Sequence, residues 1–498
     1  MSDFLAGAGV LLAAAASAAA ILLPAGRLRS AAMLLALALF PALILGDQWH
    51  SRQIADLRDD PEQLAALALA ALAASAALAA AFRRWPILLP LAIVFALPFR
   101  IPLHAGGDTA NLLVPLYLVI SGGVLASAWR AFRPSGTIFP EGGAVAEPVD
   151  AGPARFLPWA LAGFVLLYAL QTLYSPDFSK SLQNVCFFFV PFSLAYTLLR
   201  DVDWSGRLLG LVLWVVGLEA VAFVVVGSVE WLSRDLFWND QVIRSNEFHT
   251  YFRVNSIFWD PNIYGRYLAL ATVLAMSALL WARERRAFAL LTALVAVLWI
   301  GLVPTFSQSS FAALLAGLAV LAALRWSWRW TLGAVALLAV GGVVVVLFAG
   351  GVSKLSPDRL NVDTGGRANL VSGGAKLFAR RPVWGYGAGS FPRAYEEHVA
   401  TRKAPVSVSH TEPVTVAAEQ GVIGLAAYLA LIVVALGTMS SGLFTTRAGS
   451  VARVAVLATF VALLVHTMAY AGFFEDPITW VLLAAAAALA GPAVRDET

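Results

Sequence analysis

Apolar runs of roughly 20 residues, each enough to cross a bilayer core of about 30 Å as a helix, recur along this chain with only short polar breaks. Lipid offers the backbone no hydrogen-bond partner, so each run is expected to be helical. The runs read as 4–24, 31–46, 63–82, 86–103, 111–130, 157–174, 184–199, 208–228, 263–281, 288–303, 309–324, 330–350, 414–440, 454–472 and 478–492. The expected fold class is an all-α polytopic membrane protein with about 12–15 transmembrane helices. With 60% of the 498 residues hydrophobic and 13% charged, there is no room for a sizeable soluble domain.

Arginines mark every second break: Arg27 and Arg29, Arg83 and Arg84, Arg130 and Arg133, Arg200 and Arg207, Arg283 with Arg285 and Arg286, Arg325 and Arg329, and Arg447 with Arg453. The positive-inside rule puts those breaks in the cytoplasm, the amino terminus outside and the carboxyl terminus inside. The first run is preceded only by Met1, Ser2 and Asp3, without the basic region of a cleaved signal, and is expected to remain as a helix. Although the net charge is +4, the 34 basic residues form no stripe with interleaved aromatics, so nucleic acid is not an expected partner. Cys186 stands alone in an apolar segment, which excludes intrachain disulfides and Cys-rich metal sites.

The expected organisation is an amino-terminal transmembrane bundle over 1–133 and a cytoplasmic linker over 134–156, rich in Pro, Gly and Glu. A central bundle over 157–350 follows, with an outer loop at 229–262. Then come a large extracytoplasmic loop over 351–413 and carboxyl-terminal transmembrane helices over 414–498. No internal repeat is evident.

The polar chemistry gathers on the outer face, where His50, His104, His249, His398 and His410 all fall, leaving His466 within a span. Loop 229–262 carries Arg234, Arg244 and Arg253, then Asp260, Pro261 and Asn262 leading into a helix with Arg266 in its first turn. Guanidinium groups match phosphate oxygens bidentately, so these arginines are candidates for holding a diphosphate. Surface ion pairs with Glu230, Asp235, Asp240 and Glu247 are the structural alternative, and Asp-Pro-Asn is also a helix-start signal.

Loop 351–413 adds Arg359, Arg367, Arg380, Arg381, Arg393 and Arg402, and a turn running Pro382, Val383, Trp384, Gly385, Tyr386, Gly387, Ala388, Gly389. Gly385 and Gly387 are candidates for letting backbone N–H groups approach an anion, although such glycines also mark any tight loop. Because the turn follows an expected helix over about 366–380 rather than a strand, a dinucleotide-binding reading fails. The sharpest motif is Ser409, His410, Thr411, Glu412 with Gly421 and Gly424 on the next membrane helix. An imidazole there has a pKa suited to taking a proton from an acceptor hydroxyl, and capping the helix is the bland alternative.

Together these residues resemble the O-antigen ligase and O-antigen polymerase superfamily over roughly 253–424. The matching positions are Arg253, Asp260, Pro261 and Asn262; Pro382, Gly385 and Gly387; and His410, Gly421 and Gly424, with Thr411 in place of the usual Asn. The resemblance implies a GT-C-like bundle in the bacterial cytoplasmic (inner) membrane with its active loops facing the periplasm. It implies transfer of a glycan from an undecaprenyl-diphosphate-linked donor to an acceptor hydroxyl, on a lipid A core for a ligase or a lipid-linked repeat for a polymerase. His410 would be the general base. Arg244, Arg253, Arg266, Arg380 and Arg381, with Asp260, Asn262, Gly385 and Gly387, would bind the diphosphate or substrate. No cofactor or metal is expected, since no outer loop shows a strong cation-binding spacing. A transporter or flippase of lipid-linked sugars is the competing class, and it predicts charged residues at mid-span, where few are seen.

Overall fold

A computed structural model describes residues 3–49, 51, 58–105, 108–133, 152–248, 251–350, 366–400, 408–441, 443 and 450–490. Most of the expected linker, His50, His249, Arg359, Arg402 and Arg447 lie outside the described residues. Eleven helices among those described are long and apolar enough to cross a membrane, from Phe4–Leu22 to Glu412–Ser440. Three shorter apolar helices, Trp328–Gly341, Val451–Thr467 and Pro477–Leu489, join them. The chain is an all-α polytopic membrane protein.

One expected span takes a different form. Residues 86–103 make a nine-residue helix, Leu88–Ala96, and then an extended strand, Ile101–Ala105, paired antiparallel with Asp108–Leu112. Pro98 and Pro102 explain the break, because each lacks the N–H that a continuing helix would need. Apolar composition alone did not register that interruption.

The two long outer segments also fold further than a loop reading suggests. The helix Gly206–Ser233 runs well into the first, which then carries a short helix, Asp240–Phe248. The described part of the second holds the helices Arg367–Arg380 and Phe391–His398, joined by the glycine-rich turn. Below them the helix Pro261–Trp281 packs against Gln308–Arg325, and both pack against Ser450–Thr467. That packing brings Asn262, Ser309, Ser310 and His466 to one end of the bundle. An aromatic stack, with Phe164 and Phe474 ring centroids 4.1 Å apart and Phe189 at 5.6 Å from Phe474, fixes the segment between the last two helices.

Candidate functional site

His410 immediately precedes the helix Glu412–Ser440 and adopts φ 60°, a left-handed conformation that non-glycine residues hold only when their surroundings over-determine it. The surroundings do so. Buried Ser409 accepts from the Thr411 N–H at 3.2 Å and hydrogen-bonds the Thr415 hydroxyl at 2.8 Å, while the Thr411 hydroxyl donates to the Met468 carbonyl at 3.0 Å. The carboxylate of Glu412 accepts from the N–H groups of Gly472 and Phe473 at 2.7 and 3.1 Å, tying the same corner to the 468–476 segment. The imidazole is left half-buried, with the Tyr470 ring at 6.1 Å. Burial first, and then the Arg367 guanidinium, hold its pKa below the ordinary 6.5, against an opposing pull from Asp260. It is therefore neutral at pH 7 and able to accept a proton.

Arg253 is anchored at the start of the helix Pro261–Trp281. Its Nε donates to the Thr305 carbonyl at 2.9 Å, its Nη2 donates to Asn262 Oδ1 at 3.1 Å, and its backbone is clasped by the Asn246 amide. Asp260 caps the Pro261 helix through the Asn262 N–H at 2.6 Å, so the Asp-Pro-Asn motif starts a helix and braces Arg253 at once. Burial lowers the Arg253 pKa, Asp260 raises it, and Arg367 is close enough to lower it further. Arg367 opens its helix, is half-buried, and has no hydrogen-bond or ion-pair partner among the described residues. His410, Arg253, Asp260, Arg367 and Tyr470 thus share one electrostatic neighbourhood.

Arg266 is placed differently. It is almost fully buried and pairs with Asp476 at 2.8 Å, with both side chains about 5% exposed. Tyr470 lies 5.9 Å from its guanidinium. Beyond it, buried His466 meets Ser309 and Ser310 hydroxyls at 3.1 and 3.3 Å. Arg266 therefore stands behind the His410 neighbourhood, paired with Asp476 through Nη2 while its Nη1 is buried without a hydrogen-bond partner among the described residues.

The glycine-rich turn is packed against protein. The Gly387 N–H donates to the Glu419 carbonyl at 2.7 Å, Gly385 donates to the Arg381 carbonyl at 3.1 Å, and Gly389 and Phe391 donate to the Glu419 carboxylate at 2.8 and 3.0 Å. The Gly385 N–H is therefore closed onto the preceding helix end, and those of Gly387 and Gly389 are committed to Glu419, two residues before the kink at Gly421. Arg381 is exposed with its guanidinium 4.6 Å from the Tyr386 ring, and exposed Arg380 donates to the His398 carbonyl at 2.7 Å. Both end a helix of 14 residues that begins at Arg367, and at roughly 1.5 Å per residue they lie about 20 Å from it. Arg244 is exposed on the short helix Asp240–Phe248.

The sequence reading had Arg367 only as one arginine among six and did not single out Tyr470 or Asp476. A signal existed for Asp476, since Asp476-Pro477 repeats the Asp-Pro helix start of Asp260-Pro261. Among the described residues no three His, Cys, Asp or Glu side chains gather as a candidate metal centre.

Residues 293–429 match the family model described as O-antigen ligase. The match takes in Arg367, the glycine-rich turn, His410 and Gly421, and begins after Arg253 and Asp260. No curated protein matches the chain. The resemblance to the O-antigen ligase and polymerase superfamily is thereby supported over the segment that carries the histidine, and with it an O-antigen ligase-like function.

Proposed function

We propose that this chain, which carries an O-antigen ligase domain over residues 293–429, transfers a glycan from an undecaprenyl-diphosphate donor to an acceptor hydroxyl on the outer side of the bacterial cytoplasmic membrane. The observation that carries the reading is a neutral, half-buried His410 acted on by Arg367 and Asp260, both of which also act on Arg253, at one end of the bundle. Its opposite end carries the arginine-marked turns, which the positive-inside rule assigns to the cytoplasm.

In the proposed step, His410 takes the proton of the acceptor hydroxyl. The oxygen then forms a bond to the anomeric carbon as the bond from that carbon to the diphosphate breaks. Arg253, preoriented by Thr305 and Asn262, and Arg367, which has no partner among the described residues, stabilise the charge that develops on the leaving diphosphate. Arg266 supports this arrangement from behind through Asp476 and Tyr470.

The acceptor is proposed to be a lipid A core, as in a ligase; a lipid-linked repeat, as in a polymerase, uses the same leaving group and the same residues. The test is a mass-resolved transfer assay in which purified protein and a lipid-linked oligosaccharide are offered both acceptors. Product on the lipid A core, lost in His410→Ala, supports the ligase reading, and product only on lipid-linked repeats replaces it with polymerase. Movement of the donor across a vesicle bilayer with no change in its mass would overturn both in favour of transport.

A further inference from the structure

Two membrane helices carry exposed apolar stripes that end against the glycine-rich turn. On the helix Leu157–Thr172 the exposed positions include Trp159, Gly163 and Leu170, continued past its end by Leu173 and Tyr174. On the helix Glu412–Ser440 they include Val422, Ala426, Leu429 and Val433, whereas none of residues 412–421 is exposed. Such spacing puts each set on one side of its helix, the side turned to lipid. The lipid-facing side of the second helix therefore begins at Val422, one residue past the kink at Gly421.

The turn is fastened to the ends of both stripes. The Val422 N–H donates to the Pro382 carbonyl at 2.7 Å, and the Tyr174 hydroxyl donates to the Trp384 carbonyl at 2.6 Å. Both bonds use backbone groups of the turn, so its side chains are free to point away from the protein. Val383 and Trp384 are 50% and 58% exposed, and they are the two large apolar side chains of residues 366–400 left in that state. With Tyr174, Arg381, Pro382 and Gly385 they line an open groove of about 570 Å³.

Their depth follows from the same helix. Ser441, just past its last residue, accepts at 3.2 Å from Arg453, one of the arginines that mark the opposite membrane face. At roughly 1.5 Å per residue, Val422 stands about 28 Å from Ser441, close to the ~30 Å of a hydrocarbon core. A bare Val-Trp pair in water would be an isolated apolar patch on a polar segment. At the margin of the core it continues the surfaces of Leu173 and Val422, at the depth where tryptophan rings concentrate.

We infer that the turn is a membrane-docking wedge, in which Val383 and Trp384 enter the leaflet on the His410 side and moor residues 366–400 to the bilayer. The partner is the lipid surface itself, reached through apolar side chains and without choice of head group. The helix Arg367–Arg380, which leads into the turn, is thereby held to the membrane at its far end from Arg367. The wedge rests on the membrane-spanning fold and stands whether or not the chain transfers glycans.

The test is electron paramagnetic resonance of the full chain in phosphatidylcholine vesicles, with a nitroxide on Val383→Cys or Trp384→Cys. The native Cys186 is buried and stays in place. Each label's collisions with oxygen, which partitions into lipid, are compared with those of a water-soluble nickel chelate. Labels on Val433→Cys, in the lipid stripe, and on Glu396→Cys, exposed on the helix Phe391–His398, give the two references. The oxygen-to-nickel ratio at 383 and 384 is expected to match that at 433 and to exceed that at 396 severalfold. A ratio like that at 396 overturns the proposal, and so does shielding from both reagents with spin–spin broadening, which would place a second copy of the chain on the turn. The conservative Trp384→Phe gives a readout free of labels: the emission that the native chain has and this variant lacks is expected to be quenched by brominated lipid and not by aqueous iodide. Quenching by iodide alone overturns the wedge.

Discussion

Gly385 and Gly421 are locked across one backbone interface: a Cβ on Gly385 would sit 2.2 Å from the Glu419 carbonyl oxygen, and one on Gly421 would sit 2.2 Å from the Val383 carbonyl oxygen. Both have φ near 67°, and the Val422 N–H donates to Pro382 at 2.7 Å across the same contact. Since a side chain in the left-handed region costs about 1–2 kcal/mol before any clash is counted, Gly385→Ala and Gly421→Ala are each expected to lower stability by roughly 2–4 kcal/mol. The thermal midpoint of detergent-solubilised protein checks this. An unchanged midpoint in both variants would mean that the turn is not seated on the helix as described.

The buried Arg266–Asp476 pair gives a second expectation. Removing one partner leaves an uncompensated charge in a site about 95% shielded, so Arg266→Ala or Asp476→Ala is expected to cost about 3–5 kcal/mol. Arg266→Met with Asp476→Leu removes both charges together and is expected to recover most of that loss. Stability measured by denaturant or heat separates the outcomes. A double variant no more stable than either single one would argue that each charge has a separate partner.

What the sequence made legible follows its chemistry. Lipid forces helices onto apolar runs, so the expected runs fall on helices whose ends differ by a few residues, apart from 86–103, where Pro98 and Pro102 break the helix inside an apolar stretch. His410 stood out because a lone imidazole before Gly421 is a local pattern. Arg367 did not, because its approach to His410 depends on how a helix docks across a long loop, and no local spacing encodes that. The glycines of 382–389 suggested an anion cradle by the same local logic. The acceptors that Gly387 and Gly389 meet, the Glu419 carbonyl and carboxylate, lie some thirty residues downstream, beyond what a motif displays.

His410 as base implies a pH dependence with a definite sign. Its pKa is lowered, chiefly by burial and next by Arg367, so the neutral form persists below pH 6.5 and is lost only when pH falls through the depressed value. Transfer rate against pH is expected to show an acid limb with its midpoint below 6.5, and His410→Ala to cost about 10²–10⁴-fold while the protein stays folded. Arg367→Ala removes a neighbouring cation and should move that midpoint upward. A midpoint above 6.5 in the native protein would assign the limb to another group.

Arginines on one outer segment are expected to separate by position rather than by type. Arg253 and Arg367 share the His410 neighbourhood, whereas Arg381 lies at the far end of a 14-residue helix, about 20 Å away, stacked on Tyr386. A charge-assisted contact to a diphosphate is worth about 1.5–3 kcal/mol, so Arg253→Ala and Arg367→Ala should each weaken donor binding by roughly 10- to 100-fold. Arg381→Ala should change it by less than about twofold, since a contact of that strength cannot reach across such a distance. Binding of a fluorescent lipid diphosphate to each variant measures all three. Loss of affinity in Arg381→Ala equal to that in Arg253→Ala would move the diphosphate to the exposed end of the helix and detach it from His410.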